Sequence, residues 1–267
     1  MQTHLVDIGV NLTDRAFNKD LEEVLSRARE SGVGTMIVTG TDLEESQQAV
    51  ELCQQHGPGL WCTAGVHPHN AKEWTDEHQQ ALMTLANHPQ VVAIGETGLD
   101  FNRNFSPPEQ QLFAFEQQLL LAETTGLPLF LHERDAHHQQ LKLLQRYRSA
   151  YTGGVIHCFT GTREELEQYL KLDLYVGITG WICDERRGLH LQELIHMIPQ
   201  DRLLLETDCP YLLPRTLRPK PKSRRNEPAY LAHINDQIAN FLGTDAASLA
   251  QQTTENAQRL FGLRLPL

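Results

Sequence analysis

Glu96, His132, His157 and Asp208 are residue types that hold a divalent metal, and each closes a short apolar run of the sequence. Carboxylate oxygens and imidazole nitrogens together suit Mg²⁺, Mn²⁺ or Zn²⁺. Without a cation, Glu96 and Asp208 facing each other would raise each other's pKa and be costly to desolvate, so a shared ion is the economical reason for the grouping. The competing reading is a buried ion-pair network with Arg134 and Arg103. His67 and His69 flank Pro68, where an imidazole can meet a phosphate or a leaving group; His67, nearer the strand end, is the catalytic candidate and His69 a substrate contact. The segment from Arg215 to Arg225 is dense in cations and stiffened by prolines, which makes Lys220, Lys222, Arg224 and Arg225 candidate phosphate contacts, as is Arg134. Phe101, Phe105, Phe159, Trp181 and Tyr211 fall in or near the same loops, where aromatic rings stack on the bases of an unpaired strand; Trp181 is the foremost candidate. Cys158 and Cys209 adjoin key residues, but a thiol nucleophile needs a base nearby and no metal competing for it, so both read as packing residues.

These side chains need a scaffold that gathers distant positions. Short apolar runs alternate with stretches of helical period, the pattern of repeated β-α units. Strands are expected near His4–Val10, Thr35–Thr39, Leu60–Val66, Val91–Gly95, Leu129–His132, Val155–His157, Leu174–Ile178 and Leu203–Glu206. One helix carries Leu21, Val24, Leu25 and Ala28 and stops at Ser31-Gly32; another begins at Ser106-Pro107-Pro108-Glu109 and ends at Gly126-Leu127-Pro128. Two more are expected at Ala229–Leu242 and Ala246–Leu260. Eight strands predict an α/β fold, a single (β/α)₈ TIM barrel of the metal-dependent hydrolase type, whose active site collects strand C-terminal ends. One domain is expected over residues 1–267.

Composition bounds the partners. With 40% hydrophobic and 21% charged residues the chain can bury a core and stay solvated. No run approaches the roughly 18 apolar residues of a membrane span, and the N-terminus shows no export signal, so no membrane partner and a cytoplasmic address are expected. The five cysteines are an odd number without a CxxC pair, so neither a disulfide framework nor a zinc-thiolate site is suggested. A net charge of −11 argues against nucleic acid only as an average, because basic residues can cluster locally.

Four segments in one order, Gly65-Val66-His67-Pro68-His69, Gly95-Glu96-Thr97-Gly98-Leu99-Asp100, His157-Cys158-Phe159-Thr160-Gly161 and Glu206-Thr207-Asp208-Cys209-Pro210-Tyr211-Leu212, resemble the signatures of the TatD-related deoxyribonucleases. Asn226-Glu227-Pro228 resembles a further stretch of that family, and the resemblance covers essentially the whole chain. It implies a metal-dependent hydrolase of the amidohydrolase superfamily, with Glu96, His132 and His157 as metal ligands and Asp208 as ligand or catalytic base. It further implies a 3′→5′ exonuclease that prefers single-stranded DNA and also takes RNA, acts in repair of oxidised DNA and depends on Mg²⁺. In many relatives strand one supplies two histidine ligands, where this chain has Gly9 and Asn11 in Asp7-Ile8-Gly9-Val10-Asn11; this resembles the TatD branch and favours Mg²⁺ over Zn²⁺. The expected mechanism is attack by a metal-activated water whose proton Asp208 takes, with His67 or Arg134 steadying the phosphate, in a monomer. Competing functions are a small-molecule amidohydrolase or lactonase on the same barrel, and a non-catalytic binding protein.

Overall fold

The computed structural model describes residues 4–264; Met1–Thr3 and Leu265–Leu267, inside the expected domain 1–267, lie outside the described residues. Eight strands form, β1 (Leu5–Val10), β2 (Val33–Val38), β3 (Leu60–Ala64), β4 (Val91–Asp100), β5 (Leu129–Arg134), β6 (Gly154–Ile156), β7 (Tyr175–Ile178) and β8 (Leu203–Leu205). The helices are α1 (Leu21–Glu30), α2 (Leu43–His56), α3 (Asp76–Ala86), α4 (Pro108–Thr125), α5 (His137–Arg146), α6 (Arg163–Lys171), α7 (Leu189–Leu194), α8 (Leu231–Leu242) and α9 (Ala246–Phe261). The strands follow one another in sheet order β1 to β8. Beyond β8, Cys209 bridges Val10 in parallel and the Asp208 N–H donates to the Gly9 carbonyl at 2.9 Å, so the last strand's extension returns to the first. This is the (β/α)₈ topology expected from the sequence. Among the described residues no helix is long and apolar enough to cross a membrane.

Contact density divides the chain into two compact units. One carries β1, β2 and β8 with α1, α7, α8 and α9. Its helices α8 and α9 pack on β1 and β8, and the fully buried Asn256 of α9 donates to the carbonyls of Gln200 (2.7 Å) and Leu203 (2.9 Å), fixing where β8 begins. The second unit carries β3 to β6 with α2 to α5, and its core includes Ile94, Leu99, Phe115, Leu119, Phe130 and Leu131.

Helix boundaries follow local chemistry. Asp42 and Asp245 accept N–H bonds from Glu45 and Ser248 as caps of α2 and α9, and Gly126 takes the left-handed conformation that ends α4. The buried face of α4 carries two glutamines among its apolar residues, Gln111 and Gln118. Gln118 accepts from the Val66 N–H (2.8 Å) and donates to the Val66 carbonyl (2.9 Å); Gln111 accepts from the Asp100 N–H (2.8 Å) and donates to the carbonyls of Asp100 (3.0 Å) and Ser106 (2.8 Å). Each amide thus substitutes for a sheet partner where strand pairing ends. One helix thereby anchors both the turn before His67 and the end of β4.

Candidate metal centre

β4 is the element that builds the site, and it runs five residues past the Gly95 end expected from sequence. Its pairing with β5 is in register from Thr97 opposite Leu131 to Asp100 opposite Arg134, after an irregularity between Ile94 and Thr97. Gly95 and Gly98 make this possible, at φ 148° and 136°. A Cβ on Gly95 would stand 2.2 Å from the Phe130 carbonyl oxygen, and one on Gly98 2.0 Å from that of His132. Only glycine fits at either position. Between them the Glu96 N–H donates to the Gly40 carbonyl at 2.7 Å, which fixes its backbone.

Three imidazoles converge on one oxygen of that carboxylate. Glu96 Oε1 lies 2.8 Å from His157 Nε2, 3.0 Å from His132 Nδ1 and 3.4 Å from His67 Nε2. Glu96, His67 and His157 are buried and His132 is half-buried. Burial raises the Glu96 carboxyl, but its electrostatic interaction with His157 and His67 and hydrogen bonds from His132 and His157 prevail and hold it well below its ordinary value. Burial pushes His67 well below the usual imidazole value. Burial acts on His132 in the same sense, yet Asp100 and Glu96 outweigh it and its value is raised.

The donor set fits a divalent cation. His67, Glu96 and His132 each offer a ligand atom within 4.8 Å of the others. His132 Nε2 is buried without a hydrogen-bond partner, with Asp100 Oδ2 3.5 Å away, beyond the ordinary hydrogen-bond range. Such an orphaned ring nitrogen beside two carboxylates is what a metal site leaves in the protein.

His69 and Asp100 extend the cluster. His69 Nε2 bonds Asp100 Oδ2 at 2.7 Å, and its backbone N–H donates to His67 Nδ1 at 3.1 Å, so His67 caps the 3-10 turn Pro68–Glu73. Burial raises the Asp100 carboxyl, but the imidazoles of His132 and His69 beside it reverse this and lower it. Sequence reasoning did not single out Asp100. The signal was present, because Glu96 and Asp100 lie four residues apart along a strand and share a face. The ion-pair network with Arg103 and Arg134 is not found: both arginines are exposed, and the partners of Glu96 are imidazoles.

The other expected residues are placed as follows. Asp208 is half-buried at φ 54°, and Asn11 Nδ2 donates to its Oδ1 at 3.0 Å, so the asparagine in a strand-one histidine position serves the aspartate as a hydrogen-bond donor. Beside it Asp7 is fully buried, accepting from the Thr207 N–H (2.9 Å) and hydroxyl (2.6 Å). Trp181 is half-buried in the 3-10 turn Gly180–Cys183, with the Arg187 guanidinium 5.6 Å over its ring. Lys220, Lys222 and Arg224 are exposed. Arg225 is instead bound into the fold, donating to Asp20 (2.6 Å and 2.7 Å), Glu227 (2.7 Å) and the Ala16 carbonyl (2.7 Å), with Phe17 beneath it. All five cysteines are free thiols.

Known proteins resemble this chain in sequence and in fold. The chain is 58% identical to the 3′-5′ ssDNA/RNA exonuclease TatD of Erwinia tasmaniensis over 97% of its length and 100% of that protein's. Among solved structures it matches a TatD family hydrolase from Entamoeba histolytica (TM-score 0.89, 28% identity, 98% and 99% of the two chains covered). It matches the TatD homologue YJJV of Escherichia coli K12 equally well (TM-score 0.89, 28% identity, 99% and 100% covered). The model of the TatD related DNase family spans residues 6–262, taking in every strand that carries the cluster, and the chain belongs to that family of hydrolases.

Proposed function

We propose that this chain is a 3′→5′ exonuclease of single-stranded DNA and RNA that hydrolyses phosphodiester bonds in the cytoplasm, as a monomer, in the repair of oxidised DNA. The observation that carries the reading is the convergence of His67, His132 and His157 on Glu96 Oε1. Polarity and substrate follow the activity named for the 58% identical Erwinia protein. Free thiols throughout accord with a reducing compartment.

In this reading Glu96, His132 and His157 hold a divalent metal, with Mg²⁺ the ion expected and Mn²⁺ and Zn²⁺, which take imidazole more readily, the alternatives. When bound, the metal supplies a Lewis acid that lowers the pKa of the attacking water and offsets charge on the phosphate. Asp208, oriented by Asn11, takes the water's proton. His67 has its Nδ1 occupied as an acceptor by the His69 N–H, so the neutral ring carries its proton on Nε2, which faces Glu96 Oε1 at 3.4 Å, and beside that carboxylate it steadies the phosphate. Arg134 and His69 contact the reacting phosphate group, Trp181 a base, and Lys220, Lys222 and Arg224 neighbouring phosphates, while Arg225 shapes the loop that presents them.

A time course on 5′-end-labelled single-stranded and duplex DNA, with Mg²⁺, Mn²⁺ and Zn²⁺ compared side by side, tests the proposal. The expected result is stepwise shortening of the single strand from its 3′ end, abolished by EDTA and by Glu96→Ala or Asp208→Asn, with circular dichroism unchanged in both variants. Full activity in both variants would remove the mechanism.

A further inference from the structure

Phe105 is 57% exposed on a loop that is otherwise tied down. Its neighbour Ser106 is fully buried, the hydroxyl donating to the His69 carbonyl (2.8 Å) and accepting from the Lys72 N–H (3.0 Å) while the carbonyl accepts from Gln111 (2.8 Å). At the loop's start Asp100 Oδ1 accepts from the N–H groups of Asn102 and Arg103, both at 3.0 Å. The Phe105 ring centroid stands 4.7 Å from that of His69 in an edge-to-face pair, and His69 is itself bonded to Asp100 within the cluster. A single exposed aromatic is unexceptional on a protein surface. This one is held, on a tethered loop, one ring away from the candidate metal centre with more than half of its surface open to solvent.

We propose that Phe105 is the stacking platform for the unpaired nucleobase next to the phosphate being cleaved. The inference rests on the exonuclease reading and deepens it by naming what recognises the strand. Every base offers a π-face, so such a platform tolerates any sequence. A paired base has its faces covered by its neighbours in the duplex and cannot use it without being unstacked, so Phe105 contributes to selection of single strands.

The test uses the metal-loaded protein and a single-stranded oligonucleotide bearing 2-aminopurine at its 3′ end, with a phosphorothioate at the last linkage to slow cleavage. Binding to the unaltered protein is expected to quench the probe. Phe105→Ala is expected to weaken binding about tenfold, in keeping with the stacking energy of one base, and to abolish the quench, with no change in melting temperature because the ring is exposed. Phe105→Trp is expected to restore both. Unchanged affinity and quench in Phe105→Ala overturn the platform, even where the unaltered protein releases nucleotides normally. Failure of the unaltered protein to release nucleotides from single strands overturns the exonuclease reading, and the platform with it.

Discussion

At the scale of single residues the chain keeps opposite charge states in its buried carboxylates. Glu96 and Asp100 are held as anions by imidazoles, whereas burial pushes Asp7 up to about 8 against the lowering hydrogen bonds of Thr207. A carboxyl raised in the folded state binds its proton more tightly there than in the unfolded chain. Its contribution to stability is therefore complete below the ordinary carboxylate range, near pH 4, and is lost as pH climbs toward 8. Asp7→Asn, which keeps the shape but cannot ionise, should flatten this dependence. Urea unfolding at several pH values is expected to show the variant gaining on the unaltered chain between pH 5 and 8, by at most about 1.4 kcal/mol per pH unit. Parallel curves for the two proteins would mean that Asp7 is ionised when folded.

At the scale of elements, α4 places the site by carrying amides where a helix facing a sheet ordinarily carries aliphatic groups. Gln118→Leu leaves the Val66 N–H and carbonyl without their partner, at a cost of about 1–3 kcal/mol for each buried group left unpaired. The expected outcome is a lowered urea midpoint and a loss of nucleotide release larger than the stability change explains, because the turn that presents His67 loses its anchor; unchanged activity would separate α4 from the site. The strands and the ends of α1 and α4 were legible because apolar runs and Gly or Pro stops are local signals. The extension of β4 through Asp100 was not, since the apolar run that marks the strand stops at Gly95, and the need for glycine at 95 and 98 comes from Phe130 and His132 on the neighbouring strand. Gln111 and Gln118 went unread for the same reason: their partners are backbone groups fixed only by the tertiary fold.

At the scale of the molecule, a chain of net charge −11 is to bind a polyanion, which only local charge allows. Sequence made Lys220, Lys222, Arg224 and Arg225 equivalent; the structure separates them, because Arg225 is bound to Asp20 and Glu227 and the other three are exposed. Reversing Lys220, Lys222 and Arg224 to glutamate should weaken single-strand binding and flatten its salt dependence by about 0.7 in log–log slope for each phosphate no longer neutralised. Arg225→Ala should instead lower stability by about 1–2 kcal/mol, modest because the pair is partly screened by solvent. An unaltered salt slope in the triple reversal would exclude this loop from strand binding. The expectations about nucleotide release presuppose that Glu96 and its histidines hold an ion. Calorimetric titration of EDTA-stripped protein with Mn²⁺ tests that most directly: stoichiometric uptake by the unaltered chain and its loss in a folded Glu96→Ala variant are predicted, and equal uptake by both proteins would contradict it.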